Sequence, residues 1–113
     1  MLYKKIHTSK TAADNHESKI KKRKGIVARY VMDDGKIKLV YNFPEFGKGG
    51  NIVFETVKPK RPKVVYGECF FLKKGKYIID RISDTIIEII DEKGNECRLS
   101  NKELQEEFIL LTS

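Results

Sequence analysis

Ile26-Val27-Ala28-Arg29-Tyr30-Val31-Met32-Asp33-Asp34-Gly35-Lys36-Ile37-Lys38-Leu39-Val40-Tyr41-Asn42-Phe43 is the stretch that decides the fold class. Apolar residues recur at every second position, first Ile26, Ala28, Tyr30 and Met32, then Ile37, Leu39, Tyr41 and Phe43. Period two is the signature of a strand that buries one face. Asp33-Asp34-Gly35 between the runs reads as a hairpin turn, because glycine accepts the positive φ that a tight turn needs. With each apolar run on one face, Arg29, Lys36 and Lys38 fall opposite, so one side of the ribbon is expected to be basic. Pro44 ends the second strand.

Downstream, Gly47-Lys48-Gly49-Gly50 reads as a loop and Asn51 to Val57 as a third strand with Ile52 and Phe54 inward. Lys58-Pro59-Lys60-Arg61-Pro62-Lys63 is expected to be a stiff extended arm outside the sheet interior, since two prolines fix φ and remove backbone donors. Val64 to Leu72 resumes as strand with Gly67 as a bulge, and Lys73-Lys74-Gly75-Lys76 turns the chain. Tyr77 to Ile82 and Thr85 to Asp91 are two more strands. The second carries Ile86, Ile87, Ile89 and Ile90, points apolar groups to both faces, and is expected at the centre of the sheet. Gly94 marks the next bend and Glu96 to Leu99 a short strand. Ser100 and Glu103 form a capping box for a one- to two-turn helix through Glu107. Phe108 to Leu111 is apolar enough to close the sheet.

Upstream, residues 1–24 contain few large apolar groups and read as a basic extension with a helical turn or two, on a weak Ala12, His16, Ile20 stripe. Thr8, Ser9 or Thr11 is a candidate cap, and Gly25 a stop. Residues 25–113 are read as a single β-rich domain, in keeping with a length of 113.

Charge is unevenly placed. The chain carries a net +7; residues 1–24 hold +6, residues 25–63 hold +4 and residues 64–113 hold −3. The basic first half favours polyanions as partners. Two cysteines, Cys69 and Cys97, are too few for a disulfide framework and read as buried thiols of a reducing compartment. No apolar run approaches the roughly 20 residues that span a bilayer, and no secretory signal opens the chain, so a cytoplasmic location is expected.

Tyr66 to Leu111, with Gly75-Lys76-Tyr77 opening a strand, an isoleucine-rich strand, the Asp91-Glu92-Lys93-Gly94 turn and a helical turn before a last strand, resembles small SH3-like β-barrels of phage and mobile-element proteins. The resemblance implies a binding module more than an enzyme. The fold class expected is therefore mainly β: a small SH3-like or partly open antiparallel barrel, with a short C-terminal helical turn and a basic N-terminal extension.

The function expected is a non-enzymatic accessory or regulatory factor that binds nucleic acid with little sequence preference. Phosphate contact is assigned to Lys21, Lys22, Arg23, Lys24, Lys36, Lys38, Lys60, Arg61 and Lys63, with base stacking by Tyr41. Solvated lysines and core aromatics are the plain alternative for these residues. A rival reading is a protein-binding module or inhibitor that docks on an acidic partner surface, also by strand addition at an exposed edge. Pro59 and Pro62 satisfy P-x-x-P, with stiff linker as the default. A weaker alternative is a small ribonuclease, with Asp80, Asp84 and Glu88 as candidate carboxylates. No cofactor or small-molecule substrate is indicated. His7 and His16, nine residues apart, and the isolated cysteines lack metal-ligand spacing.

Overall fold

The computed structural model describes residues 2–44 and 52–111. The expected loop at Gly47-Lys48-Gly49-Gly50 and the expected strand start at Asn51 lie outside the described residues. The chain gathers into two compact units, Leu2–Val53 and Phe54–Ser113. Both are built on antiparallel sheets, and among the described residues no sheet closes into a barrel. No helix of the described residues is long and apolar enough to cross a membrane.

In the first unit, residues expected as an extension form strand β1 (Tyr3–His7) and the 13-residue helix α1 (Lys10–Lys22). The hairpin follows as β2 (Ile26–Val31) and β3 (Ile37–Asn42). β3 lies between β1 and β2 and is antiparallel to both. β1 and β2 therefore run the same way, and α1 is the crossover that such a pair requires, with β3 inserted between them. The helix begins where the Ser9 hydroxyl accepts the Ala12 N–H at 3.2 Å. It ends in a Schellman motif: Gly25 N–H bonds Ile20 C=O at 2.9 Å and Lys24 N–H bonds Lys21 C=O at 2.9 Å. The residue at positive φ is Lys24, at 60°, not Gly25. Gly25 serves a different need, because a Cβ there would lie 2.7 Å from Asn42 O and 2.8 Å from Ile20 Cγ2.

Ala13 and Ile20 of α1 pack on Ile37, Leu39 and Phe43, with Val27 and Tyr41 at the margin. Register corrects the expected basic ribbon. Val31 pairs Ile37, Arg29 pairs Leu39 and Tyr30 pairs Lys38. Arg29 thus shares the helix-side face with Ile37 and Leu39, while Ile26, Ala28 and Tyr30 share the other face with Lys38. The cause is the five-residue connection Met32–Lys36, closed by Met32 N–H to Lys36 C=O at 2.9 Å. A shift of one residue in register exchanges the faces of a strand. Lys38 is only 7% exposed, so it offers little to a polyanion and leaves the set of expected phosphate contacts.

The second unit holds β4 (Thr56–Pro59), β5 (Lys63–Tyr66), β6 (Cys69–Leu72), β7 (Tyr77–Arg81), β8 (Ile86–Ile90), β9 (Glu96–Ser100), α2 (Asn101–Glu107) and β10 (Phe108–Leu110). The main sheet runs β10-β4-β7-β8-β9, with β5 and β6 paired separately. The isoleucine-rich β8 is paired on both edges, as its sequence requires, and β10 returns to β4. Ser100 and Glu103 form the capping box of α2. Phe71 stands edge-on to Tyr77 and Phe108, with ring centroids 5.0 and 5.5 Å away, at the centre of a core that includes Ile79, Ile87, Ile89 and Leu99.

Two expectations in this unit are corrected. Pro59 is a buried strand residue, not part of an arm outside the sheet. Leu111 N–H bonds Thr56 C=O and Lys60 N–H bonds Glu107 C=O, so even-numbered residues of β4 face β10. The Pro59 nitrogen faces the other way, beyond Val57, where the β4–β7 ladder has already ended, and no hydrogen bond is lost. Gly67 is not a bulge: Tyr66 pairs Cys69, which leaves Gly67-Glu68 as a two-residue turn with Gly67 at φ 56°.

The helix terminus makes a test of opposite signs. Gly25→Ala is expected to destabilise the first unit by about 1–3 kcal/mol through overpacking, while Lys24→Gly, which relieves a left-handed Cβ, raises stability by about 0.5–1 kcal/mol. Urea denaturation followed by circular dichroism measures both; equal effects would refute the terminus described.

Candidate functional site

Strand alternation in β1 puts Tyr3, Lys5 and His7 on the face that α1 covers, opposite Tyr41, Leu39 and Ile37. Helical spacing in α1 brings His16, Lys19, Ile20 and Arg23 into one stripe above them. The two histidines meet: His7 Nε2 and His16 Nδ1 lie 2.9 Å apart, in a hydrogen bond whose donor depends on tautomer. The His16 ring stands edge-on to Tyr41 at 4.9 Å, and Tyr41 stacks on Tyr3 at 5.5 Å. Tyr3 is 46% exposed, so this stack has an open end.

Two shallow clefts flank the stripe. One of about 450 Å³ is lined by Lys5, His7, Ala12, Asn15, His16 and Lys19. The other, about 420 Å³, is lined by His16, Lys19, Ile20, Lys22, Arg23 and Phe43. They share His16 and Lys19. The Arg23 guanidinium lies 3.7 Å above the Phe43 ring, a cation–π contact that holds it at the cleft wall.

Charge is sorted across the helix. Its two carboxylates, Asp14 and Glu17, serve the β2 flank, where Arg29 lies 2.7 Å from Asp14 and 3.9 Å from Glu17. Lys10 and Lys21 pair with the same carboxylates at 2.9 and 3.3 Å. Hydrogen bonds from Lys10 and Arg29 hold the Asp14 carboxyl below its ordinary range. On the other flank, burial lowers the His16 pKa first, and the charges of His7, Lys19 and Lys5 lower it further. Two imidazoles and two lysines that line one cleft suit an anion better than a metal ion.

Of the residues assigned from sequence, Lys22 and Arg23 line this cleft. Lys24 is exposed at the helix end, Lys21 is tied to Glu17 and Lys36 lies 3.6 Å from Asp34. Tyr41 is half-buried, and its packing with Tyr3, His16 and Phe43 makes it a support for Tyr3 instead of an open platform. Lys60, Arg61 and Lys63 belong to the second unit. Lys60 donates to Gln105 C=O at 2.7 Å, Arg61 pairs with Glu107 at 2.6 Å and the Lys63 ammonium sits 4.8 Å from the Phe70 ring centroid. Of the carboxylates considered for a nuclease, Asp80 and Glu88 are buried and Asp84 is exposed.

Sequence reasoning missed Tyr3, Lys5, His7 and His16 as members of one site. Tyr3-Lys4-Lys5-Ile6-His7 has no apolar alternation to mark it as a strand, so the one signal was the capped helix that follows. Cys69 lies in the core of the second unit with Cys97 packed against it, and burial pushes both thiols up. Thiols so placed are poor nucleophiles.

The histidine pair makes stability depend on pH with a definite sign. A folded pKa below the ordinary 6.5 means that the unfolded chain binds protons more readily, so His16 favours folding above 6.5 and that contribution is lost as pH falls through the lowered value. The urea midpoint is expected to drop between pH 7.5 and 5.5, and His16→Gln to flatten the profile; a midpoint that rises on acidification contradicts the arrangement. No family model matches the chain, and no curated protein or solved structure matches it either.

Proposed function

We propose that the chain is a non-enzymatic accessory or regulatory factor that binds nucleic acid with little sequence preference through the first unit. One observation carries this reading: Lys5, Lys19, Lys22 and Arg23 edge two clefts that share His16, while both helix carboxylates are engaged on the opposite flank. Cations that track a backbone beside an exposed aromatic are the usual means of holding single strands. Tyr3 supplies the aromatic surface. None of these contacts selects a base edge, which accords with low sequence preference. The histidines lie against each other and not on two sides of a space the size of a phosphate, an arrangement that favours binding over general acid–base cleavage. Two free thiols, one buried and one partly buried, fit a reducing compartment, the cytoplasm.

A second reading has its own observation in the second unit. Val65, Phe70 and Leu72 share the exposed face of the β5–β6 hairpin, bordered by Lys63 and by Asp91, Glu92 and Lys93. An apolar face with a charged rim suits a protein partner.

Fluorescence anisotropy with labelled single- and double-stranded oligonucleotides at two salt concentrations tests the leading reading. Binding is expected at low salt, weakening with a log–log slope of about 0.7 per single-strand phosphate neutralised. The double variant Lys5→Ala/Lys19→Ala is expected to lose roughly tenfold in affinity, and Tyr3→Ala to lose about 1–3 kcal/mol for a single strand. Lys36→Ala, which removes a charge already beside Asp34, is expected to bind as the parent does. Absence of binding at low salt refutes the reading.

A further inference from the structure

We propose that His7, His16, Lys5 and Lys19 form a proton-coupled phosphate site, in which a nucleic-acid phosphodiester docks between the two ammonium groups and His16 takes up one proton as it binds. The inference rests on the reading above and deepens it by naming the ligand group and its coupling to pH.

The argument begins with what faces His16. From β1 it meets His7 and Lys5, from β3 the Tyr41 ring, and from its own helix Lys19. Among the described residues, the charges that oppose a proton on it are those of His7, Lys19 and Lys5, and the helix carboxylates Asp14 and Glu17 are held toward Arg29 on β2. In the free protein a proton on His16 is therefore opposed by burial and by its neighbours. A phosphodiester oxygen in the cleft shifts the balance the other way, because it brings a negative charge beside the ring. By linkage, whatever raises the proton affinity of a group when bound binds more tightly as pH falls.

Hydrogen-bond chemistry limits the uptake to one proton. Between neutral imidazoles at 2.9 Å, one ring donates and the other accepts. If His16 gains a proton, its Nδ1–H donates to His7 Nε2, the bond survives, and the remaining Nε2–H is available as a donor to the phosphate. Were both rings cationic, Nδ1 and Nε2 would both carry protons and the bond would be lost. The pair is thus suited to hold a single added charge.

The chain makes this testable, because its only two histidines are these two and a phosphodiester does not titrate near neutral pH. The experiment measures the affinity of the full chain for a single-stranded oligonucleotide from pH 8 to 5.5 at constant ionic strength, and follows the His16 imidazole by NMR with and without it. Affinity is expected to rise by about threefold to tenfold per pH unit below neutrality, with no slope steeper than one proton. The imidazole pKa is expected to rise when the oligonucleotide is added. His16→Gln is expected to lose the pH dependence, so that its affinity at pH 5.5 no longer exceeds its own affinity at pH 8. If that variant does not fold, the NMR shift in the parent chain decides. Binding at pH 8 with neither strengthening on acidification nor a rise in the imidazole pKa overturns this inference and leaves the broader reading intact. Failure to bind at pH 8 in low salt overturns both.

Discussion

The seating of α1 on β3 is the constraint on which the first unit depends. Ile20 and Ala13 insert against Leu39, Ile37 and Phe43, and this small apolar contact turns a lysine-rich segment into a fixed surface. Removed from the sheet, Lys19, Lys22 and Arg23 would be points on a solvated tail, with the low charge density of any flexible chain. Held on the helix, Lys19 shares one cleft with Lys5, from a strand far from it in sequence, and the adjoining cleft with Lys22 and Arg23. Packing of neutral groups therefore decides where the charge goes. The Schellman terminus contributes directly: Gly25 lets the chain turn against Asn42 without a Cβ, so that α1 can lie down on the strand it precedes.

Gathering cations has an electrostatic cost, and the fold limits it by sorting charges across the helix. Asp14 and Glu17 offset most of the charge of Arg29, Lys10 and Lys21 on the β2 side. These are largely exposed pairs, worth little individually. Their consequence is positional: they leave the His16 flank without a carboxylate of its own helix. Asp14 and Glu17 are three residues apart and so share a face, while His16 and Lys19 share another. One turn of sequence thus specifies a largely paired side and a positive side.

Much of the architecture is legible in the amino-acid sequence alone. The Asp33-Asp34-Gly35 turn, the capping box at Ser100 and the isoleucine-rich β8 each state a local rule that tertiary structure has no reason to overrule. What could not be read came from non-local pairing. Tyr3-Lys4-Lys5-Ile6-His7 has only one aliphatic residue, and it becomes a strand because β3 has a free edge to receive it. The faces of the hairpin were misassigned because periodicity gives alternation within each strand but not the register between two, which depends on the five-residue turn. Pro59 reads as a strand breaker unless one knows that its neighbour's ladder has already stopped at Val57.

The site was hidden for a related reason. Lysine runs are conspicuous in a sequence, and attention falls on Lys21-Lys22-Arg23-Lys24 as a block. A helix distributes such a block around its circumference, so consecutive residues diverge: Lys21 turns to Glu17, Lys22 and Arg23 to the cleft, and Lys24 to the left-handed terminus. Residues that converge are instead separated, as His7 and His16 are, by the strand-to-helix step. A charge block is therefore a weak guide to an electrostatic surface, whereas alternation in a strand and a three-to-four spacing in the helix above it describe the same surface from both sides. His16 lies where those two periodicities cross, which is why one imidazole touches a neighbouring histidine, an aromatic stack and two basic clefts at once.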